Sequence, residues 1–254
     1  MTQIAAQMYT LRDEMKTPEQ MGETLKRVKA VGYDAVQLSG HGPVEPQRMA
    51  GMVREAGLAV AATHVSFERL EQELDAVVAD HRLWQCPYVG IGSMPAPFHG
   101  SLEGARTFAR RAGEIARRLQ DQGLTLIYHN HNFEFHRVDG PTRIYDVLLQ
   151  ETPGCLQFEL DTYWVQAAGG DPAYWIRQLS GRMDVIHFKD MAAAADGTGI
   201  MAEVGEGNLN WPEILAACGE IGVKWHIVEQ DICQRPPLES LRLSLHNLRA
   251  MGLR

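Results

Sequence analysis

The chain has 254 residues, of which 45% are hydrophobic and 22% charged, the proportions of a folded globular protein. Asp and Glu number 32 against 24 Lys and Arg, so the net charge is −8, which argues against a nucleic-acid surface. No apolar run reaches the roughly 18 residues of a membrane span.

The N-terminus has no basic stretch followed by an apolar one, so a cytoplasmic location is expected, with neither nucleic acid nor membrane as partner. Cys86, Cys155, Cys218 and Cys233 are scattered, with no Cys-x-x-Cys pair, and read as reduced thiols filling a core.

In chain order, the pattern alternates strand and helix. Residues 3–8 form a short apolar run. Thr17-Pro18 then supplies a cap and a first-turn proline for a helix over 18–31. Gly32 ends that helix before a strand over 33–38. A helix over 46–56 ends at Gly57, before a strand over 58–64. A helical pattern over 67–80 leads to a strand over 86–92. A long one over 101–121 ends near Gly123, before a strand over 124–129.

Residues 141–151 read as helix and 156–161 as strand. Asp171-Pro172 opens a helix over 171–180, before a strand over 183–188. Asn210 with Glu213 resembles a capping box for a helix over 211–219. Gly222 precedes a strand over 224–230, and a helix over 237–250 follows. Glycine just past a helix takes the left-handed conformation without steric cost. The runs are apolar with little alternation, as in strands buried on both faces.

Eight strands alternating with eight helices predict an α/β fold, a single (β/α)8 TIM barrel over 1–254. An open doubly wound sheet is the weaker alternative, because no Gly-x-Gly-x-x-Gly follows the first strand. The longest non-periodic stretch, 190–209, reads as a mobile lid, with Gly205 and Gly207 allowing closure.

In such a barrel, chemistry sits at the C-terminal ends of the strands. The third strand ends in His64, and the fifth runs into His129, Asn130, His131 and Glu134. The sixth ends in Glu159 and Asp161, the seventh in His187, Lys189 and Asp190, and the eighth in Glu229 and Asp231. Taken singly, each is equally well a polar cap on one strand. As a set they recur at one rim. Carboxylates with imidazoles and no thiolate suit one divalent ion, Mn2+, Mg2+, Co2+ or Zn2+. Lys189 pairs with a substrate oxygen or with Asp190, and Trp164 with Tyr163 is a candidate wall against a sugar face.

Several motifs here are similar to those of a known group. Asp161-Thr-Tyr-Trp, His187-Phe-Lys-Asp, Gly205-Glu-Gly-Asn-Leu-Asn-Trp and Val228-Glu-Gln-Asp resemble the xylose isomerase-like barrel superfamily. That group includes sugar phosphate isomerase/epimerase-like proteins, ketohexose 3-epimerases, keto-inositol dehydratases and family-2 AP endonucleases. Tyr128-His-Asn-His-Asn-Phe-Glu-Phe135 and Gln7-Met-Tyr-Thr-Leu-Arg-Asp13 are similar to its sugar isomerase/epimerase-like branch.

The resemblance implies one divalent metal held by Glu, Asp, His and Glu from strands five to eight. Three of these map to Asp161, His187 and Glu229. Many relatives carry Glu-Asn at the strand-five position, where this chain has His129-Asn130. Glu134 is the preferred substitute, with His129 and His131 as alternatives. Trp164 stands where the ketohexose epimerases carry a substrate-contacting His, so a ketohexose bound in the same pose is not expected. The AP endonucleases use that His and a further Asp-x-His, both missing here, which argues against DNA repair.

The expected function is proton transfer next to the carbonyl of a keto-sugar or sugar derivative, through a metal-stabilised enediolate. Glu229, His131 and Glu134 are the candidate acid–base residues. His64, His129, Trp164 and Lys189 are the candidate substrate contacts. Dehydration of a keto-inositol or keto-sugar, metal-dependent hydrolysis and a non-catalytic sugar-binding barrel are the alternatives. The expected partner is a small sugar or polyol, and a homo-oligomer is compatible with the sequence.

Overall fold

A computed structural model describes residues 3–253. Eight parallel strands close into a barrel: β1 (Gln3–Gln7), β2 (Ala35–Leu38), β3 (Ala59–His64), β4 (Tyr88–Ile91), β5 (Thr125–His129), β8 (Gln157–Asp161), β9 (Val185–Phe188) and β12 (Trp225–Val228). β1 pairs with both β2 and β12, so the sheet has no edge. Two antiparallel hairpins stand outside it: β6 (Arg137–Asp139) with β7 (Thr142–Arg143), and β10 (Asp190–Ala193) with β11 (Gly199–Ala202).

The helices are α1 (Pro18–Val31), α2 (Pro46–Glu55), α3 (Phe67–Gln72), α4 (Leu74–Trp84), α5 (Leu102–Gln120), α6 (Ile144–Glu151), α7 (Thr162–Ala167), α8 (Pro172–Gln178), α9 (Trp211–Ile221) and α10 (Pro237–Ala250). The pattern over 67–80 is in fact two helices, broken at Glu73, whose φ of −130° is not helical. α7 is a short helix ahead of α8, in a stretch where the sequence pattern gives no helix. The expected helix and strand ends recur in the structure. Thr17 and Gln20 form a reciprocal cap at α1, and Asp171 and Asn210 cap α8 and α9. Gly32, Gly57, Gly123 and Gly222 all have positive φ.

Side chains alternate across a strand, so residues two apart share a face. Ala5, Ala35, Ile127, Val185 and Ile227 belong to a small apolar cluster distinct from the main core. Two residues further along the same strands stand Gln7, Gln37, His129, His187 and Glu229, all buried. The barrel interior is therefore apolar below and polar at its C-terminal end. The larger core packs strands against helices and includes buried Cys86, Cys155 and Cys218 as free thiols.

The segment 190–209 is not the loose lid its length suggests. Its first part is the β10–β11 hairpin, and its second part is clasped by the Asp190 side chain. Asp190 accepts hydrogen bonds from the N–H groups of Met191, Gly205, Gly207 and Leu209 and from Trp211 Nε1, the last at 2.6 Å. A Cβ at Gly207 would collide with this carboxylate. Glycine there serves close approach, not closure. Val204 and Asn247, with Glu203 and Ser240, tie the segment to α10.

Candidate active site

The C-terminal mouth of the barrel opens into a cleft of about 610 Å³. His64, His129, His131, Glu229 and Asp231 line it, together with Tyr9 and Ser93. At its floor, donor atoms of His129, Asp161, His187 and Glu229 lie within 4.8 Å of one another. All four residues are buried.

Hydrogen bonding fixes which nitrogen each imidazole presents. Nδ1 of His129 lies 3.0 Å from the Gly92 carbonyl, which can only accept, so this nitrogen carries the proton. Its Nε2 then faces Asp161 Oδ2 at 3.3 Å and Glu229 Oε2 at 3.9 Å.

His187 is set by a longer chain of contacts. Gln37 Nε2 donates to Glu159 Oε1 at 2.8 Å, and Gln7 Nε2 donates to Gln37 Oε1 at 2.8 Å. Gln37 Oε1 therefore faces His187 Nε2 at 2.6 Å, with Glu159 Oε1 at 3.2 Å, and that nitrogen must donate. Nδ1 of His187 is left facing Glu229 Oε2 at 3.1 Å.

With both rings neutral, two ring nitrogens and two carboxylates turn acceptors toward one point. Such a set calls for a cation, either protons on the rings or a metal ion. Two nitrogens and two carboxylates, with protonated ring nitrogens anchored behind them, fit a borderline divalent ion. Without one, burial lowers His187, but Glu159 and Glu229 outweigh it and raise the imidazole to about 10.

Lys189 closes one side of this centre. Its buried Nζ lies 3.0 Å from Asp161, 2.8 Å from Glu229 and 2.6 Å from Asp231. The carboxylate contacts overcome burial and raise Lys189 well above its ordinary value. Burial likewise favours neutral carboxyls, yet Lys189 and the imidazoles hold Asp161 and Glu229 ionised. Lys189 pairs with these three carboxylates, whereas Asp190 serves the loop.

Glu134 does not join the cluster. Its Oε1 accepts from Tyr128 Oη at 2.6 Å and its Oε2 from the His131 N–H at 2.9 Å. The expectation of Glu134 as metal ligand is corrected: both of its oxygens are engaged on the outer face of β5. His129 stands in the strand-five place instead. Glu134, expected also as an acid–base residue, is fully buried and does not line the cleft.

His131 lines the cleft and its Nδ1 is buried with no partner. Burial first, then the neighbouring His129 and Lys189, hold it at about 3, so its ring is neutral at physiological pH. Trp164 packs beside it with ring centroids 5.1 Å apart, and Trp164 Nε1 is also buried without a partner. His64 donates to Glu159 Oε2 at 2.6 Å and stacks 5.5 Å from His187.

From the sequence, Glu159 is marked only as a polar strand end, and Gln7 and Gln37 carry no assigned role. Each is a polar residue inside an otherwise apolar strand, a signal that needs a buried partner. Asp231, expected at the end of the eighth strand, lies on the cleft wall, as does Tyr9, to which the sequence assigns no role.

A family model described as xylose isomerase-like TIM barrel matches residues 25–251, and the chain belongs to that family. Among solved structures, a sugar phosphate isomerase/epimerase from Parabacteroides distasonis is 22% identical with a TM-score of 0.82, over 99% of this chain and 95% of that one. An L-ribulose 3-epimerase is 15% identical with a TM-score of 0.73, over 100% and 95%. A probable 3-DHS dehydratase from Bacillus anthracis is 14% identical with a TM-score of 0.72, over 98% and 99%. At these identities the likeness shows the shared fold. No curated protein matches the chain in sequence. Among the described residues, no helix is long and apolar enough to cross a membrane.

Proposed function

We propose that the protein is a divalent-metal-dependent sugar isomerase or epimerase. It moves a proton to and from the carbon next to the carbonyl of a keto-sugar. The observation that carries this reading is the convergence of His129, Asp161, His187 and Glu229 at the floor of a cleft whose wall holds a partnerless His131 nitrogen. An ion held by those four residues supplies a Lewis acid for a substrate oxygen.

The residues of the chain divide the remaining work. His131, the imidazole on the cleft wall that makes no hydrogen bond at Nδ1, is assigned as the proton carrier by its position. Glu229 is committed to Lys189 and His187, and Glu134 to Tyr128. Lys189 keeps Asp161 and Glu229 anionic. Return of the proton to the neighbouring carbon isomerises the sugar, and return to the other face epimerises it. The similarity to an L-ribulose 3-epimerase agrees with this reading.

The test is deuterium uptake. The metal-loaded protein is incubated in D2O with a panel of keto-sugars and the carbon-bound protons are followed by NMR. Exchange next to a carbonyl, lost in His131→Ala, is expected. Hydrolysis of a glycoside or ester with no exchange in any keto-sugar would refute the proposal.

A further inference from the structure

We propose that the substrate is an uncharged sugar, not a phosphorylated one. This rests on the proton-transfer reading above and concerns what the same cleft recognises. No residue lining the cleft is Lys or Arg, and its charged groups are Glu68, Glu229 and Asp231. A phosphate needs a cation or open backbone N–H groups. The cations beside cleft residues are already engaged. Arg69 is paired with Asp80 and Arg111 with Glu71. Lys189 is fully buried and held by three carboxylates. Arg12 donates to the Tyr9 and Asp231 carbonyls and lies 4.5 Å from the Tyr9 ring centroid.

The start of the helix at the cleft carries an anion of its own. Ser66 and Glu68, at the start of α3, both line the cleft. Ser66 Oγ already accepts the Arg69 N–H, and Glu68 sits in the first turn. Below, Asp161, Glu229 and Asp231 face Lys189, and Glu159 faces His64 and His187; with one divalent ion bound and the rings neutral, the four carboxylates exceed these cations by one charge. That leaves an excess of negative charge before substrate arrives, and a phosphate dianion would add to it.

What the cleft does offer is neutral. Ser39, Ser66 and Ser93 supply hydroxyls, and the neutral His131 ring lines the same wall. Tyr9, 37% exposed, presents an aromatic face at the rim. Hydroxyl-rich, uncharged ligands match such a lining.

The experiment compares matched pairs on the magnesium-loaded protein: D-fructose with D-fructose 6-phosphate, and D-ribulose with D-ribulose 5-phosphate. Binding is read by saturation-transfer NMR, independently of turnover. The free sugar of at least one pair is expected to bind about tenfold more tightly than its phosphate, with inorganic phosphate failing to displace it. Glu68→Lys is expected to raise affinity for the phosphorylated member by about tenfold. Equal or tighter binding of the phosphorylated members overturns this inference alone and leaves the proton-transfer reading standing. Binding of neither member in any pair overturns both.

Discussion

Gln37 Oε1 lies 2.6 Å from His187 Nε2, and this contact decides which nitrogen His187 turns toward Glu229. Gln37 is oriented in turn by Glu159 on one side and Gln7 on the other. Groups behind a metal-ligating His commonly set its affinity. Gln37→Leu is expected to weaken binding of Mn2+ or Zn2+ by roughly 10–100-fold while the barrel stays folded. Calorimetric titration of both proteins measures it, and equal affinities would deny Gln37 this role.

Lys189 holds three carboxylates together. Lys189→Met leaves them facing one another unneutralised, which should cost the metal-free protein roughly 3–5 kcal/mol. A divalent ion replaces part of the missing charge. Metal is therefore expected to raise the melting temperature of the variant more than that of wild type. A smaller rise in the variant would show that Lys189 does not compete for these oxygens.

Glu134 gives a pH dependence that can be assigned. Burial pushes it up to about 7 from an ordinary 4.5, against the hydrogen bonds from Tyr128 and backbone N–H groups. Between these values the folded chain binds more protons than the unfolded one, so stability rises as pH falls through 7 and is lost as pH rises. Glu134→Gln removes the titration. Wild type should gain roughly 2 kcal/mol over the variant between about pH 8 and about pH 5, measured by urea unfolding. Parallel stability profiles would contradict the raised carboxyl.

Asp190 is buried and accepts five hydrogen bonds from 191–211. Asp190→Ala is expected to cost roughly 3 kcal/mol or more. Amide exchange should quicken over 203–211 in the variant and be slow there in wild type. Fast exchange in wild type would restore the mobile lid.

Much of this was readable from residue order. The helix-ending glycines and apolar runs marked the barrel, and the strand ends marked Asp161, His187 and Glu229. The strand-five ligand was not legible because Glu134 and His129 differ in strand face, not in residue type. His129 follows the inward parity of Ile127, whereas Glu134 turns back to Tyr128, one residue off that parity. The role of 190–209 was hidden for another reason. Glycine and length look the same in a lid and in a loop wrapped round one carboxylate, and only the contacts of Asp190 separate them.

In the proposed site His129, Asp161, His187 and Glu229 hold a single divalent ion. The most direct measurement of this is the metal content of wild type, His129→Ala and Glu134→Gln after loading with Mn2+, Co2+ or Zn2+ and exhaustive dialysis. About one ion per chain is expected in wild type and Glu134→Gln, and far less in His129→Ala. Metal retained by His129→Ala but lost from Glu134→Gln, or bound by none of the three proteins, would contradict it.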